Sequence, residues 1–140
     1  MKTRFSSLVN LKKNTMQKSE EVVQQANKDL SSASEALEKS YNILQEISSP
    51  QAGPAKELLA SRTLISSARN IIKHNQEWMK FSQNQLHQAQ EQLKLDMIEY
   101  EKFKYLEVDE IKKIIKQKKL QEAKDLDEVA LMTYNTKGHQ

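Results

Sequence analysis

Cysteine is absent from the 140-residue sequence, and glycine, proline and aromatic residues are scarce. Without cysteine the chain can form neither a disulfide framework, nor a thiolate metal site, nor a cysteine nucleophile, and a cytosolic setting is the natural expectation. Two glycines, two prolines and eight aromatic residues leave little material for turns or for a compact core. These scarcities favour an extended, helical chain over a globular one.

Long apolar runs are also missing, so the sequence predicts no helix that spans a bilayer. The first ten residues contain Lys2 and Arg4, but no apolar core of a signal peptide follows them. We therefore expect a cytoplasmic protein that reaches a membrane only peripherally, at its cytoplasmic face, or through a partner.

What is present is a seven-residue repeat on both sides of one breaker-rich segment. Both prolines and Gly53 fall within residues 48–54, which predicts the turn of a hairpin. Large residues such as Val23 and Leu30 recur every seven positions before it, and Ile72 and Met79 do so after it, each accompanied by a small or polar residue. The prediction is an all-α fold, a long antiparallel two-helix coiled-coil hairpin with helices at 3–48 and 55–132, a turn at 49–54 and a tail at 133–140.

The register of this hairpin is predicted by centring it on the turn, so that paired residue numbers sum to 105. Large residues then face small or polar ones: Leu44 faces Ser61, Leu30 faces Asn75 and Ala33 faces Ile72. Lys12 and Asp96 become neighbours at the far end. Because Phe5 then meets Tyr100, the arms are unequal, and the second helix is expected to overhang from about residue 104.

The predicted overhang is apolar on part of its surface and locally basic. Five lysines lie within residues 112–119, a stretch without an acid. The apolar residues need a second protein to cover them. The lysines have three interpretations: a solvated helical face, a site for an acidic protein, or a site for nucleic acid or anionic lipid. Neighbouring acids and the lack of interleaved aromatics argue against nucleic acid.

A second apolar row flanks the predicted seam near the turn. It contains Leu64, Ile71 and Trp78, with Ile43 on the facing helix, while Tyr41 flanks the other side. Two interpretations stay open: a broader core stripe that shields the seam, or a docking surface, in which tryptophan is a frequent centre of binding energy.

No constellation in the sequence predicts catalysis. His74, His87 and His139 are too far apart to form a metal motif on one helix, and the carboxylates lie on solvated faces. Phosphate-binding and nucleophile motifs are absent. The sequence therefore predicts a non-enzymatic protein without a metal or cofactor, which works by binding other proteins.

Two terminal segments carry a resemblance to a known family. The start, residues 2–12 (KTRFSSLVNLK), and the distal block at 121–130 (QEAKDLDEVA) resemble the ends of the FliJ family of flagellar export proteins, and the length and hairpin plan agree. The resemblance implies a stalk similar to the gamma subunit of rotary ATPases, located at the flagellar base and required for motility. It implies three partners: the hexameric export ATPase FliI, the cytoplasmic domain of the export gate FlhA, and export chaperones.

Site residues follow from the resemblance together with the residue pattern. The resemblance implies a gate-binding surface near the turn that includes Leu64 and Ile71, and the apolar and aromatic residues beside the seam add Trp78 and Tyr41, so contacts to the gate are expected at Tyr41, Leu64, Ile71 and Trp78. Contacts to the ATPase ring are expected at the unpaired end, namely Phe5, Leu8, Ile111, Lys112, Ile114, Ile115, Lys116, Leu126 and Val129. The alternative from another class is a coiled-coil adaptor that binds nucleic acid or an anionic membrane surface through the lysine cluster.

Overall fold

The computed structural model describes residues 2–47 and 55–138, with side chains described for 2–47 and 60–136. Two helices account for nearly all of them: α1 (Ser6–Ile47), of 42 residues, and α2 (Ala55–Gly138), of 84 residues. No strand occurs within these ranges. The predicted turn at 49–54 lies outside the described residues, as does the side chain of Leu58, which continues the seven-residue repeat of Ile72 and Met79.

Both helices differ slightly from their predicted bounds. At the start, the amide of Thr3 donates to Ser6 Oγ at 2.8 Å and that of Phe5 donates to Thr3 Oγ1 at 3.1 Å, so these side chains cap a turn and α1 begins at Ser6. At the other end, α2 continues to Gly138 rather than ending at 132. Thr133 and Thr136 donate to the carbonyls of Val129 and Met132, four residues earlier, as hydroxyls inside a helix do.

The chain contains two packing units, and in each of them α1 and α2 run antiparallel. In the unit Met16–Asp96, Ser40 accepts a hydrogen bond from Asn75, while Ser19 donates to Asp96. In the unit formed by Met1–Thr15 and Met97–Gln140, Lys12 pairs with Glu99 at 3.6 Å and Arg4 with Glu110 at 3.7 Å. In each unit, the residue in or just before α1 that comes earlier in the chain pairs with the α2 residue that comes later, so the two helices run in opposite directions. The predicted fold class, an all-α antiparallel hairpin with unequal helices, is confirmed.

The packed seam follows the seven-residue repeat. Every described residue predicted to lie on the seam is buried or half-buried. The most buried ones are nearly all small: Ala26, Ala33, Ser40, Ala68, Ile72, Ser82 and Ala89. Small residues let the two backbones approach, and the large residues between them cover the gap from the sides, which is why they stay half-buried.

The predicted register is wrong by one heptad. Asn75 is predicted opposite Leu30, but its Nδ2 donates to Ser40 Oγ at 2.5 Å and to the carbonyl of Ala36 at 3.3 Å. These two bonds agree with a register in which paired residue numbers sum to 112. This register puts Asn75 opposite Leu37 and still places large residues opposite small or polar ones. Opposite Leu30 the position of Ser40 would be taken by Ala33, which has no hydroxyl, so the amide would lose one of its two acceptors, and this difference favours the observed register.

The same shift changes the far end of the pairing. Lys12 does not pair with Asp96, as predicted, but with Glu99, and it lies 5.5 Å from the ring centre of Phe103. Partial burial along α2 continues to Ile114, and from Ile115 to residue 136 every side chain is exposed. The unpaired part of α2, called the overhang below, therefore begins at Ile115 and not near residue 104.

Candidate partner-binding surfaces

One edge of the Met16–Asp96 unit is apolar and open to solvent. Leu64 and Ile71 each expose 55% of their surface, and Ile43 and Trp78 are also exposed. Leu64, Ile71 and Trp78 immediately precede seam positions seven residues apart, so helical geometry puts them on one side of the seam. We call Ile43, Leu64, Ile71 and Trp78 the apolar edge. Their exposure is greater than that of seam residues, which favours a docking surface over a broadened core.

Two further apolar residues, neither of them among the predicted site residues, extend this edge. Val22 precedes the seam residue Val23, and Phe81 lies one turn beyond Trp78; both are largely exposed. They border a shallow groove that also includes Ala26, Asp29 and Gln85. The signal for Val22 was available, because it occupies the same heptad position as Ile43. Phe81 lies outside the heptad row and gave no such signal.

Tyr41 is on the other edge of the same unit. Its hydroxyl accepts a hydrogen bond from Gln76 Nε2 at 2.8 Å, and Gln76 follows the seam residue Asn75. The side chains that flank the seam on that side of α2 are polar: Arg62, Arg69, Gln76 and Gln83. Of the four residues predicted to contact the gate, the structure therefore brings together Leu64, Ile71 and Trp78 and separates Tyr41 from them.

The second candidate surface begins where the N-terminal segment meets α2. Phe5, Ile111 and Ile114 are half-buried, and Leu8 is just exposed. The guanidinium of Arg4 lies 5.0 Å from the ring centre of Phe5 and pairs with Glu110. These predicted ring contacts are thus partly used inside the protein, where they hold the N-terminal segment against α2.

The remaining predicted ring contacts lie on the outer surface of α2. Lys112, Ile115 and Lys116 are exposed, and Leu126 and Val129 expose 70% and 58% of their surface. Leu126 is 15 residues beyond Ile111, about 22 Å along the helix. The nine predicted residues therefore form two groups, one at the N-terminal segment and one on the exposed surface of α2 from Lys112 onward.

Charge changes sign along α2 between residues 112 and 128. The five lysines at 112–119 are all exposed, and Lys113 pairs only locally, with Asp109 one turn earlier at 3.3 Å. Residues 122–128 follow with four acids and a single lysine. A partner that covers this helix therefore has to offer negative charge to its first half and positive charge to its second.

Neither surface carries a metal-sized cluster in the part of the chain that the structure describes. No three histidine, aspartate or glutamate side chains there converge on a common point. Nor is any helix within the described ranges long and apolar enough to cross a membrane. The two surfaces offer apolar contact and charge, which are the means of protein recognition.

Long paired helices with a narrow seam and two exposed apolar surfaces define a class of protein, the antiparallel coiled-coil hairpins that present surfaces to partners. Within this class, the chain belongs to the FliJ family, because the family model described as "Flagellar FliJ protein" matches residues 1–139. The chain is also 25% identical over 142 residues to the Flagellar FliJ protein of Bacillus subtilis (strain 168), with 97% of each chain covered. No solved structure matches it.

The comparisons confirm the resemblance that the terminal segments carry. They span nearly the whole chain, so membership does not depend on those two segments alone. It makes the chain a component of flagellar protein export.

Proposed function

We propose that the chain is a non-enzymatic coupling protein of flagellar export, which binds the export ATPase ring through its overhang and the export gate through its apolar edge. The observation that carries the proposal is the presence of two exposed apolar surfaces, one in each packing unit. A protein that couples two machines needs two surfaces that can be occupied at once. Export chaperones are a third class of partner in this proposal, without an assigned surface.

The mechanism we infer is allosteric. A single overhang helix is asymmetric around its axis, so the subunits of a ring closed around it would meet different side chains. Unequal contacts shift the conformational equilibria of the subunits unequally and promote assembly and turnover of the ATPase. The ATP chemistry then resides wholly in the ATPase, and this chain supplies only differential binding.

Support for the ring contact comes from the exposure of the overhang. None of the described residues covers its side chains from Ile115 to residue 136. Leu126 and Val129 are apolar, adjacent on one face and more exposed than any seam residue. The lysines before them and the acids after them add charge that would orient a partner.

Two matched double variants test the proposal in a crossed design. Leu126→Ala plus Val129→Ala is expected to weaken ATPase binding and stimulation by at least about tenfold, because buried aliphatic contacts at interface centres each contribute on the order of 1–2 kcal/mol. Gate binding should be unchanged. Each variant truncates one leucine and one β-branched residue of similar exposure, so each is the control for the other.

The reciprocal pair, Leu64→Ala plus Ile71→Ala, is expected to weaken gate binding by a similar factor and to leave ATPase stimulation intact. Surface plasmon resonance with the immobilised gate domain and a phosphate-release assay with the ATPase measure the two effects. Circular dichroism checks that helicity is retained. Equal losses in both assays from either variant would mean that the residues act on folding and would overturn the assignment of surfaces. Binding to generic polyanions that disappears with added salt, without ATPase affinity, would instead favour the anionic-surface adaptor.

A further inference from the structure

One face of the overhang has a pattern that is complementary to itself. Its residues are spaced four, three, four and three apart and are all exposed: Ile115, Lys119, Glu122, Leu126 and Val129. Such spacing keeps side chains on one side of an α-helix. We call these five residues the overhang stripe. The stripe is apolar at both ends and carries opposite charges at its centre, next to each other along the helix.

The charges around the stripe follow the same order. All five lysines of 112–119 lie before the midpoint between Leu120 and Gln121, and the four acids of 122–128 lie after it. Reversing the direction of the helix therefore exchanges its positive half for its negative half. A second copy of this chain, laid antiparallel, offers the charge pattern that the overhang needs in a partner.

We propose that two copies of the chain pair through the overhang stripe in antiparallel orientation, with the twofold axis between Leu120 and Gln121. In this arrangement Ile115 of each copy meets Leu126 of the other, Lys119 meets Glu122, and Val129 lies against the aliphatic stem of Lys112. Each contact occurs twice, as it must in a symmetric dimer. A parallel pairing would instead put lysine against lysine and acid against acid, which is unfavourable.

The interface is small. The overlap extends over residues 112–129, about 27 Å of helix, with few apolar side chains, and it is expected to bury less than the roughly 800 Å² per partner of a stable complex. The dimer should therefore be weak, concentration-dependent and sensitive to salt. It covers Ile115, Leu126 and Val129, so a consequence that rests on the proposed function is that the dimer and the ATPase contact exclude each other.

Charge exchange at the centre of the stripe tests the pairing in the full chain. Sedimentation equilibrium at rising concentration should show a monomer–dimer equilibrium, which Lys119→Glu or Glu122→Lys alone weakens at least about tenfold by putting like charges together. The double variant Lys119→Glu plus Glu122→Lys should restore it, as should an equimolar mixture of the two single variants. Lys124→Glu is the control, because Lys124 lies on the opposite face of the helix and its substitution makes the same change in charge.

Three outcomes of this experiment would overturn the proposal: a wild-type chain that stays monomeric at all concentrations, a double variant that stays as weak as the single ones, or an equal loss from Lys124→Glu. None of them depends on the ATPase. A failed dimer with intact ATPase stimulation, or the reverse, therefore separates this proposal from the proposed function.

Orientation and register are tested by cross-linking, since the chain has no cysteine of its own. A mixture of Ile115→Cys and Leu126→Cys chains should form a disulfide between unlike chains under mild oxidation. Each variant alone should not, because like positions in the antiparallel pair are 11 residues apart, about 16 Å, whereas a disulfide needs Cα atoms within about 7 Å. Cross-linking of Leu126→Cys with itself would indicate parallel pairing and would overturn the arrangement.

Discussion

Replacing Ala33 with leucine is expected to lower the free energy of unfolding by about 1–3 kcal/mol, with a corresponding fall of several degrees in the thermal midpoint. Ala33 is completely buried. The observed register puts it opposite Met79, a half-buried large residue. A second large side chain in that layer would force the helices apart or drive side chains out of their rotamers, and the neighbouring layers would lose contact.

The control for this prediction is Ala130→Leu, which adds the same atoms at an exposed position of the overhang. It should leave the thermal midpoint nearly unchanged, because alanine and leucine have similar helix propensities and nothing is displaced. Thermal unfolding followed by circular dichroism measures both variants. If both lower the midpoint equally, or if Ala33→Leu has no effect, the seam does not depend on small residues.

The fold was predictable because the residues that are buried between two paired helices recur with the same seven-residue period in the sequence. A helix that pairs with one other helix buries one narrow stripe, and the seven-residue repeat displays that stripe in the sequence. Ala33 and Ile72 were therefore identified as seam residues without a structure, and both are buried. The unequal lengths followed from the position of the proline-rich segment.

The register was not predictable from the same repeat, because a slip of seven residues maps every seam position onto another seam position. The large-against-small layers could not reveal the error: Ala33 faces Ile72 in one register and Met79 in the other, and both satisfy the rule. What distinguishes them is the polar layer, where Asn75 finds Ser40 and Ala36. The hydrogen-bonding partner of that half-buried amide is therefore the criterion that fixes the register.

For the candidate surfaces too, the seven-residue repeat predicted some features correctly and others not. Leu64, Ile71 and Trp78 were found together because they share a heptad position, and the structure puts them on one exposed edge. Tyr41 was grouped with them by proximity to the turn, but its side of the seam is polar and it bonds to Gln76. The register error accounts for seven of the 11 residues by which the start of the overhang moved, from about residue 104 to Ile115.

Ending the chain after Lys118 is expected to abolish stimulation of the export ATPase. The deletion removes Leu126, Val129 and the acidic half of the overhang but keeps the lysines at 112–118 and the contacts between the N-terminal segment and α2. If several contacts on the overhang act together, the loss of affinity should reach at least about 100-fold, an order of magnitude beyond the effect of the Leu126→Ala and Val129→Ala pair. A steady-state ATPase assay with increasing amounts of the shortened chain measures it.

The thermal midpoint and gate binding serve as controls for this deletion. Both should stay close to those of the full chain, because every described side chain removed is exposed and none contributes to the apolar edge. A shortened chain that stimulates the ATPase as well as the full chain would restrict the ring contact to the predicted residues that it keeps, which are Phe5, Leu8, Ile111, Lys112, Ile114, Ile115 and Lys116. A shortened chain that binds the ring but no longer stimulates it would separate docking from activation, with docking at the N-terminal segment and activation at the overhang.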